Sequence, residues 1–536
     1  MSDTPLPHEA VLRTVGAVAD RLKIEAYAVG GAVRDAFLGR PTTDLDFVSI
    51  GNGSGITLAK AVGKKMGGRT VHVYENFGTA AIRLPESEGS LVLEFVGARK
   101  ESYRAESRKP LVEDGTLEED QARRDFTVNA LALALGAERF GNVLDPFGGM
   151  IDLVGKKLRT PLDPHVTFED DPLRMLRAAR FAAQLGFDLD IDAERAMRDR
   201  APRLAIVSAE RIVDELNKIL LSPKPSVGLE ILYQARLLEH FLPELPALAG
   251  VETVGGQSHK DNFFHTLEVV DNLAAMTAER DDERVLWLRW AALLHDHAKP
   301  ETKRFSKASG WTFHGHEDRG ARNVPTLFRR LKLPLDERMI YVRDLVALHH
   351  RPVALVDDAV TDSAVRRLLF DAGDRIDDLM LLVRADITSK NPSRVRRYLA
   401  AFDRVEAKFA EVEEKDRLRH FEPPVDGHEI METLGVREGV AVGIVKEWIR
   451  EAILEGEIPN EHDPAFAFMM AKKDEALRRA ALFDEVVPTL EGPERAATGA
   501  IKEAVFWSDV PAEHAEAVAY LRGIASAAQP DSASPA

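Results

Sequence analysis

Hydrophobic and polar positions follow two different periods along the chain. Up to about residue 150, short β-rich runs alternate with helical segments, which is typical of a small mixed α/β domain. The predicted strands are Glu25–Val29, Leu45–Ile50, Thr70–Tyr74, Thr79–Leu84 and Leu91–Val96, and the predicted helices between them are Ala32–Leu38 and Ile56–Met66. From about residue 165 onward, helical periodicity takes over almost without strands. It predicts helices over Pro172–Leu185, Ala209–Leu221, Phe263–Ala278 and Val285–His297.

Length and composition indicate a globular protein of several domains. A chain of 536 residues is too long for one hydrophobic core, and about three or four domains are expected. Pro/Gly-rich junctions at Ser222–Val227 and Gly250–Gln257 indicate boundaries, and Ser526–Ala536 is predicted to be disordered. Cysteine is absent, no apolar leader follows Met1, and no run reaches the ~18 apolar residues of a membrane span. These features predict a cytoplasmic protein with no membrane partner.

The net charge of −17 argues against a protein that coats nucleic acid without specificity. It leaves room for a local basic surface, because salt screens electrostatic fields beyond about 10 Å. Two basic tracks are candidates for RNA contact, although such runs are more often solvated helix faces. The first track contains Arg319, Arg322, Arg329, Arg330 and Lys332, and the second contains Arg394, Arg396, Arg397 and Arg404.

A glycine pair and an aspartate pair lie close together near the N-terminus. Gly30 and Gly31 precede a predicted helix, where glycine lets backbone N–H groups approach an anion. Asp44 and Asp46 stand two residues apart on a predicted strand, so both side chains can bind one divalent cation. A phosphate cradle beside a carboxylate metal site is typical of phosphoryl or nucleotidyl transfer. Glu94 is the candidate for a third catalytic carboxylate, and an edge-strand acid without a role is the alternative.

A later segment carries arginines beside an acid and an amide. Asp125 and Asn129 are four residues apart on a predicted helix and suit the hydroxyls of a ribose. Arg123 or Arg124 can grip a phosphate with two parallel hydrogen bonds. A salt-bridge ladder along a helix is the alternative.

The next polar run combines two acids with a stripe of arginines. Asp170 or Asp171 can cap the helix that the following proline opens. Arg174, Arg177 and Arg180 recur every third residue on one helix face. Asp171 and Arg174 could read the Watson–Crick edge of a base, since a carboxylate accepts from an exocyclic amine and a guanidinium donates to a ring nitrogen or carbonyl. Cytosine and adenine both carry an amine beside an acceptor. A capped helix with a charged stripe is the alternative.

Five motifs, in this order, resemble the class II tRNA nucleotidyltransferases (CCA-adding enzymes) and the related bacterial poly(A) polymerases. They are Gly30-Gly31-Ala-Val-Arg34-Asp35, Asp44-Leu-Asp46, Arg123-Arg124-Asp125-Phe-Thr-Val-Asn129-Ala, Asp170-Asp171-Pro-Leu-Arg174 and Glu210-Arg211-Ile-Val-Asp-Glu215-Leu. The chain departs from the family at Asp170, where many members have glutamate, and this change keeps the charge.

The resemblance implies a fold and a role for each motif. The fold is α+β, with a small mixed α/β, polymerase beta-like nucleotidyltransferase head over residues 8–150, followed by all-α parts. These are a neck over 151–225, an HD body over 226–410 and a tail over 411–525 that grips the tRNA elbow. Asp44 and Asp46 would hold Mg²⁺, and Asp171 with Arg174 would act as a protein template. The predicted nucleotide-binding residues are Gly30, Gly31, Arg34, Asp35, Arg124, Asp125, Asn129, Asp171, Arg174, Arg177 and Arg180.

A second metal site is predicted in the helical body. His295 and Asp296 end an apolar helix, so these adjacent side chains can turn toward one cation. The predicted ligands are His265, His295, Asp296 and Asp386, and a second metal could add His316 and His349 or His350. This set resembles the HD superfamily of metal-dependent phosphohydrolases, and it would take Mn, Ni, Fe or Mg²⁺. Ala298 stands where many HD proteins have glycine, so a metal site without hydrolysis is the alternative.

The leading hypothesis is template-independent addition of CCA to tRNA 3′ ends from CTP and ATP. An additional HD phosphohydrolase activity would act on RNA ends or nucleotides. A poly(A) polymerase, or a partial enzyme that adds only CC or only A, is the alternative within the family. The poly(A) polymerases of this family often carry extra basic segments after the Asp-x-Asp strand. The corresponding segment here, Gly51–Gly55, is not basic, which favours CCA over poly(A) addition. An HD phosphohydrolase with a nucleotide-binding module is the alternative from another class, and the intact Asp44 and Asp46 pair argues against it.

Overall fold

The computed structural model describes residues 7–75, 78–85, 90–104, 107–254, 257–356, 361–389, 391–416, 418 and 421–527. The chain divides into two compact units, Met1–Ala347 and Leu348–Ala536. Among the described residues, every helix is too short or too polar to span a lipid bilayer.

The N-terminal part of the first unit is built on a β-sheet. The strands in chain order are β1 (Ala26–Val29), β2 (Asp44–Ser49), β3 (Val71–Tyr74), β4 (Thr79–Arg83), β5 (Val92–Gly97), β6 (Arg99–Arg104), β7 (Ser107–Asp114), β8 (Ala132–Ala134) and β9 (Val143–Leu144). Within the described residues, seven of them form one sheet in the order β3-β4-β5-β2-β1-β8-β9, while β6 and β7 form a separate hairpin. Strands β2 and β5 run parallel, and the other neighbours in the sheet run antiparallel.

Strand alternation separates the core of this sheet from its polar face. Leu45 and Phe47 of β2 are buried, and Phe47 stacks on Phe95 of β5 with ring centroids 4.9 Å apart. Because successive side chains of a strand point to opposite faces, Asp44 and Asp46 project to the other side. The helices of this part are α1 (Glu9–Leu22), α2 (Gly31–Phe37), α3 (Ser54–Lys65), α4 (Leu117–Ala122) and α5 (Gly149–Val154).

The remainder of the first unit is helical, with three short strand pairs. Its elements are β10 (Lys157–Leu158), α6 (Pro164–Asp170), α7 (Leu173–Leu185), β11 (Asp188–Leu189), α8 (Ile191–Arg200), α9 (Ala209–Leu220), α10 (Pro225–Gln234), α11 (Leu238–Phe241), β12 (Thr253–Val254), β13 (Gln257–Ser258), α12 (Asn262–Met276), α13 (Arg284–Leu294), α14 (Lys299–Thr302), β14 (Arg304–Ser306), β15 (Gly310–Thr312), α15 (His316–Leu331) and α16 (Glu337–Leu348). Helix α7 packs against α9 and α10, and its buried residues include Met175, Leu176 and Phe181.

The second unit consists of helices in its described part. They are α17 (Arg351–Ala354), α18 (Asp362–Ala372), α19 (Ile376–Asp386), α20 (Pro392–Asp416), α21 (Gly427–Leu434), α22 (Val440–Glu455), α23 (His462–Val486), α24 (Thr498–Trp507) and α25 (His514–Ala527). Helix α18 packs against α20 and α22, and α22 packs against α23. Phe402 and Phe409 of α20 are buried.

The α+β class and the mixed head followed by helices are confirmed, and the predicted strands agree with the observed ones within about two residues. The prediction of one helix over Asp125 and Asn129 is wrong, because α4 ends at Ala122 and Asn129 lies in a 3₁₀ turn, Thr127–Asn129. The side chain of Asp125 accepts from the N–H of Phe126 at 2.8 Å, and such a local bond competes with helical ones.

Two predictions concern the ends of domains. Ser526 and Ala527 were predicted to be disordered, but they form the last positions of α25, and 528–536 lie outside the described residues. The division into head, neck, body and tail stays a prediction, since the two compact units meet at residues 347 and 348, inside the predicted body.

Candidate active site

A cavity of about 620 Å³ lies beside β2 in the first unit. All of the predicted nucleotide-binding residues line it, together with the carboxylates of Asp44, Asp46 and Glu94. The lining comes from the β2 and β5 strands, from α2, from the turns after α4 and from the arginine face of α7. Arg211 of α9 also lines it, so the structure brings residues that are up to 181 positions apart in the sequence into one polar cavity.

The three carboxylates meet because two strands are parallel. Asp46 of β2 stands in register with Glu94 of β5, while Asp44 is two residues away on the same face of β2. Burial, and to a lesser extent the charges of Glu94 and Asp44, raises the pKa of Asp46 to about 6 against the opposing effect of Arg124. A cation would relieve the repulsion among these three carboxylates. Their oxygen atoms are the kind of ligand that Mg²⁺ prefers, so the donor set fits this ion.

Gly30 is required where the backbone passes the aspartates. Its φ is +77°, a conformation that favours glycine. A Cβ at this position would lie 3.0 Å from Oδ2 of Asp46 and 3.2 Å from Nη1 of Arg124. The absence of a side chain therefore leaves room for the carboxylate and the guanidinium on either side of the entry to α2.

Asp120 fixes the two arginines that follow α4. Its carboxylate accepts from Nη2 of Arg123 through Oδ1 and from Nη2 of Arg124 at 3.0 Å through Oδ2. Burial alone would raise the pKa of Asp120, but the charges of Arg124 and Arg123 hold it below its usual range. The sequence prediction missed Asp120, although an acid three and four residues before two arginines is a recognisable signal.

Asp125 and Asn129 are joined to Arg34 by a chain of hydrogen bonds, and their role at the ribose stays a prediction. Nδ2 of Asn129 donates to Asp125 at 3.0 Å, and Oδ1 of Asn129 accepts from Nη1 of Arg34 at 2.7 Å. Arg34 also donates to both oxygens of Asp35 at 2.9 Å. Burial would raise the pKa of Asp125, but the charge of Arg177 and the bond from Asn129 hold it well below its usual range. The chain orients Arg34 along the cavity wall.

Asp171 and Arg174 both line the cavity at the start of α7. Oδ1 of Asp171 accepts from the N–H of Leu173, the first residue of α7, at 3.2 Å, while the N-cap position itself is occupied by Pro172. Nη2 of Arg174 donates to the backbone carbonyl of Arg123 at 2.6 Å, and Arg174 is buried. The contact with a backbone carbonyl thus fixes the guanidinium of Arg174, and the carboxylate of Asp171 lies beside the start of the same helix.

Two further residues of the site were not assigned roles from the sequence. Glu215 of α9 is buried and forms an ion pair with Arg180, whose Nε lies 3.0 Å from its carboxylate. The ring of Phe181 lies beneath the guanidinium of Arg180 at 4.2 Å and that of Arg34 at 5.1 Å. Glu215 stands in one of the five motifs, but its partner is on another helix and no local spacing indicates it.

A second cluster of predicted metal ligands lies on α12, just after the end of α13 and at the start of α15 in the first unit. Asp296 is buried, with Nε2 of His295 and of His316 each 3.2 Å from its carboxylate and Nε2 of His265 at 3.6 Å. Nδ1 of His295 bonds the carbonyl of Ala292 at 2.7 Å, and Nδ1 of His316 bonds that of Phe313 at 2.8 Å.

These backbone bonds orient the imidazoles toward Asp296. A ring that donates through Nδ1 presents the lone pair of Nε2, so two lone pairs face one carboxylate. A cation between them fits this arrangement, and imidazole with carboxylate suits Mn, Ni or Fe. Asp386 and His349, with the alternative His350, belong to the second unit, and their roles as ligands stay predictions.

Three family models match the chain in order. Residues 26–159 match the model described as "Poly A polymerase head domain". Residues 186–248 match "Probable RNA and SrmB- binding site of polymerase A", and residues 262–408 match "HD domain". The first match includes Asp44, Asp46 and Glu94, and the third includes the histidine cluster.

Relatives are similar over most of their length. The A-adding tRNA nucleotidyltransferase of Deinococcus radiodurans is 34% identical over 444 residues, which cover 81% of this chain and 92% of that protein. The CC-adding tRNA nucleotidyltransferase of Thermus thermophilus is 32% identical over 455 residues, covering 83% and 93%. The crystal structure of the Bacillus stearothermophilus CCA-adding enzyme in complex with CTP has a TM-score of 0.61 at 25% identity, covering 88% and 98%.

Proposed function

Because the chain belongs to the family of tRNA nucleotidyltransferases, we propose that it adds the complete CCA sequence to tRNA 3′ ends from CTP and ATP with Mg²⁺. The observation that carries this proposal is a single cavity that holds both a carboxylate cluster and the Asp171 and Arg174 pair. The first group suits nucleotidyl transfer, and the second suits recognition of a base that carries an amine beside an acceptor.

The chemistry is the attack of the tRNA 3′-hydroxyl on the α-phosphate of the nucleotide, with pyrophosphate leaving. Mg²⁺ held by Asp44 and Asp46 would neutralise the charge on the phosphates. Arg34 and Arg124 contact the triphosphate, and they are pre-oriented by Asn129 and by Asp120. Glu94 accepts the proton of the hydroxyl, a role that its register position beside Asp46 supports.

Primer extension tests this proposal against the alternatives within the family. The purified chain and Mg²⁺ are incubated with tRNAs that lack the last one, two or three nucleotides, with CTP, ATP or both. Complete CCA addition predicts extension of all three primers by the correct nucleotides and a stop after A. Extension that stops after CC, extension of the CC-ended primer alone, or a run of A from ATP would each replace it with another activity.

A matched pair of variants shows which site is responsible. Asp44→Asn with Asp46→Asn should abolish extension of every primer. Asp281→Asn with Asp484→Asn makes the same charge change at exposed positions outside the cavity and should extend like the wild type. Extension that survives in the first variant would show that the cavity is not the active site.

The cluster around Asp296 favours a second candidate function, a divalent-metal phosphohydrolase. Its substrates would be phosphate esters at RNA ends or in nucleotides, and its supporting observation is three imidazoles directed at one buried carboxylate. The test uses RNA ending in a 2′,3′-cyclic phosphate, with Mn²⁺, Ni²⁺ or Mg²⁺. His295→Ala with Asp296→Asn should remove hydrolysis and spare nucleotide addition. Hydrolysis that persists in this variant would contradict the proposal.

A further inference from the structure

We propose that the second basic track is a docking surface for the phosphate backbone of tRNA. It consists of four exposed arginines on α20, and we refer to it as the α20 surface. They are Arg394, Arg396, Arg397 and Arg404. The identity of the partner rests on the proposed function, whereas the capacity to bind phosphates rests on the geometry and charge of these side chains.

The structure distinguishes the two basic tracks of the sequence. In the first track, Arg319 pairs with Glu301 at 2.5 Å and Arg330 pairs with Glu244 at 2.6 Å. On the α20 surface, none of the arginines forms an ion pair with a carboxylate of the described residues; Arg396 bonds the Ser393 hydroxyl, and Arg404 the Ala400 carbonyl. Two of the five cations of the first track are therefore neutralised within the protein, whereas none of the four on the α20 surface pairs with a described carboxylate.

The α20 surface differs from other arginines of the second unit in having no ion pair with a described carboxylate. Elsewhere in the second unit, Arg384 pairs with Glu406 at 2.7 Å and Arg367 pairs with Glu455 at 2.6 Å. Carboxylates outnumber Lys and Arg by 88 to 71 in the whole sequence. Adjacent like charges repel one another, so four unpaired arginines on one helix cost stability unless an anion binds them.

The start of α20 presents three of these charges, Arg394, Arg396 and Arg397, without packing into the core. Residues 392–400 include no buried position, and the buried face of the helix begins with Ala401 and Phe402. The guanidinium groups of Arg394 and Arg397 lie 5.7 Å and 5.6 Å from the centre of the Tyr398 ring. The ring holds both groups near the helix, which reduces the entropy lost when they bind.

A nucleic acid backbone is the partner that this surface fits best. Arginine binds phosphate oxygens with two parallel hydrogen bonds, and successive phosphates offer a row of such sites. A phosphate backbone offers the same acceptors whatever the bases, so contact independent of base sequence is expected. Its residues lie outside the lining of the cavity, and they would bind the body of the tRNA rather than the incoming nucleotide.

Equilibrium binding of full-length tRNA without its CCA end tests this proposal. Fluorescence anisotropy gives the Kd of the wild type and of R394Q/R396Q/R397Q over a series of salt concentrations, with no nucleotide present. The Kd of the variant should rise about tenfold or more at moderate salt. The slope of log Kd against log salt should fall by about 0.7 to 0.9 for each phosphate contact that is lost, or by about two to three if all three arginines bind phosphate.

The control is R13Q/R338Q/R351Q, which makes the same charge change at arginines that pair with Glu9, Asp336 and Asp371. It should leave the Kd within about twofold and the slope unchanged. The proposal would be overturned if both variants lost the same affinity for tRNA. It would also be overturned if R394Q/R396Q/R397Q lost none, and that result would point to an acidic protein partner instead. If the wild type extends no primer, the proposed function fails, but the binding measurement still decides the role of the α20 surface.

Discussion

Nε of Arg177 donates to one carboxylate oxygen of Asp125 at 2.7 Å, and Nη2 of the same arginine lies 2.6 Å from that oxygen in an ion pair. Asp125 is buried, and its other oxygen accepts from Asn129, which in turn accepts from Arg34. The pair thus joins α7 to the turn after α4 and, through Asn129, to α2. Three segments that are distant in the sequence are held together by one chain of charged hydrogen bonds.

Asp125→Asn should destabilise the first unit because it leaves Arg177 without its counter-charge. The expected loss is about 2 kcal/mol in the free energy of unfolding, measured by urea denaturation. Asp214→Asn is the matched control, since Asp214 pairs with Lys218 on the surface, and it should cost less than about 0.5 kcal/mol. Equal losses in the two variants would show that the buried pair has no special role.

The stability difference between the wild type and Asp125→Asn should depend on pH. The pKa of Asp125 is held below its unfolded value of about 3.9, so its contribution is present above that pH and is lost as the pH falls toward the folded value. Denaturation between about pH 8 and about pH 5 should show a constant difference that shrinks below about pH 4. A difference that shrinks near neutral pH instead would contradict a depressed pKa.

Gly30→Ala should reduce activity more than stability. The new Cβ would press on Asp46 and Arg124 inside the cavity, and kcat for primer extension should fall at least about tenfold. Gly39→Ala is the control, because Gly39 also has a positive φ, +65°, but has no atom within 4 Å of the added Cβ. Both variants should lose about 1 kcal/mol of stability, and only Gly30→Ala should lose activity. Parallel losses of activity would contradict this account.

Ni²⁺ should raise the melting temperature of the wild type by several degrees if the histidine cluster binds a transition metal. Binding to the folded state alone adds about 2.7 kcal/mol at a hundredfold excess over Kd, and imidazole ligands favour Ni²⁺. His295→Ala with Asp296→Asn should remove this shift. His428→Ala with Asp463→Asn, at exposed positions, should retain it. A shift of equal size in both variants would place the metal elsewhere.

The sequence predicted most of the site because the chemistry lies in short motifs. Asp44 and Asp46 share a strand face by the two-residue period, and Asp171, before the proline that opens α7, bonds the first N–H of that helix. Glu94 could be predicted as a strand residue, but its position beside Asp46 depends on the parallel pairing of β2 and β5. Sequence period alone does not determine which strands become neighbours.

Contacts between distant segments could not be predicted. Glu215 and Arg180 pair across two separate helices. From the sequence, Phe181 looks like an ordinary core residue of its helix, but its ring lies against three guanidinium groups. The helix predicted over Asp125 and Asn129 fails because local side-chain bonds compete with helical ones, an effect that hydrophobic periodicity does not contain.

The central claim is that Asp171 and Arg174 select the nucleotide that the Asp44 and Asp46 site attaches. The direct test is single-turnover extension by the wild type and by Asp171→Asn, with CTP against UTP and ATP against GTP. An asparagine can donate to a carbonyl where aspartate can only accept, so both discrimination ratios should fall about tenfold or more. Each ratio compares two nucleotides on one protein, so a general loss of activity cancels. Unchanged ratios, at any overall rate, would contradict the claim.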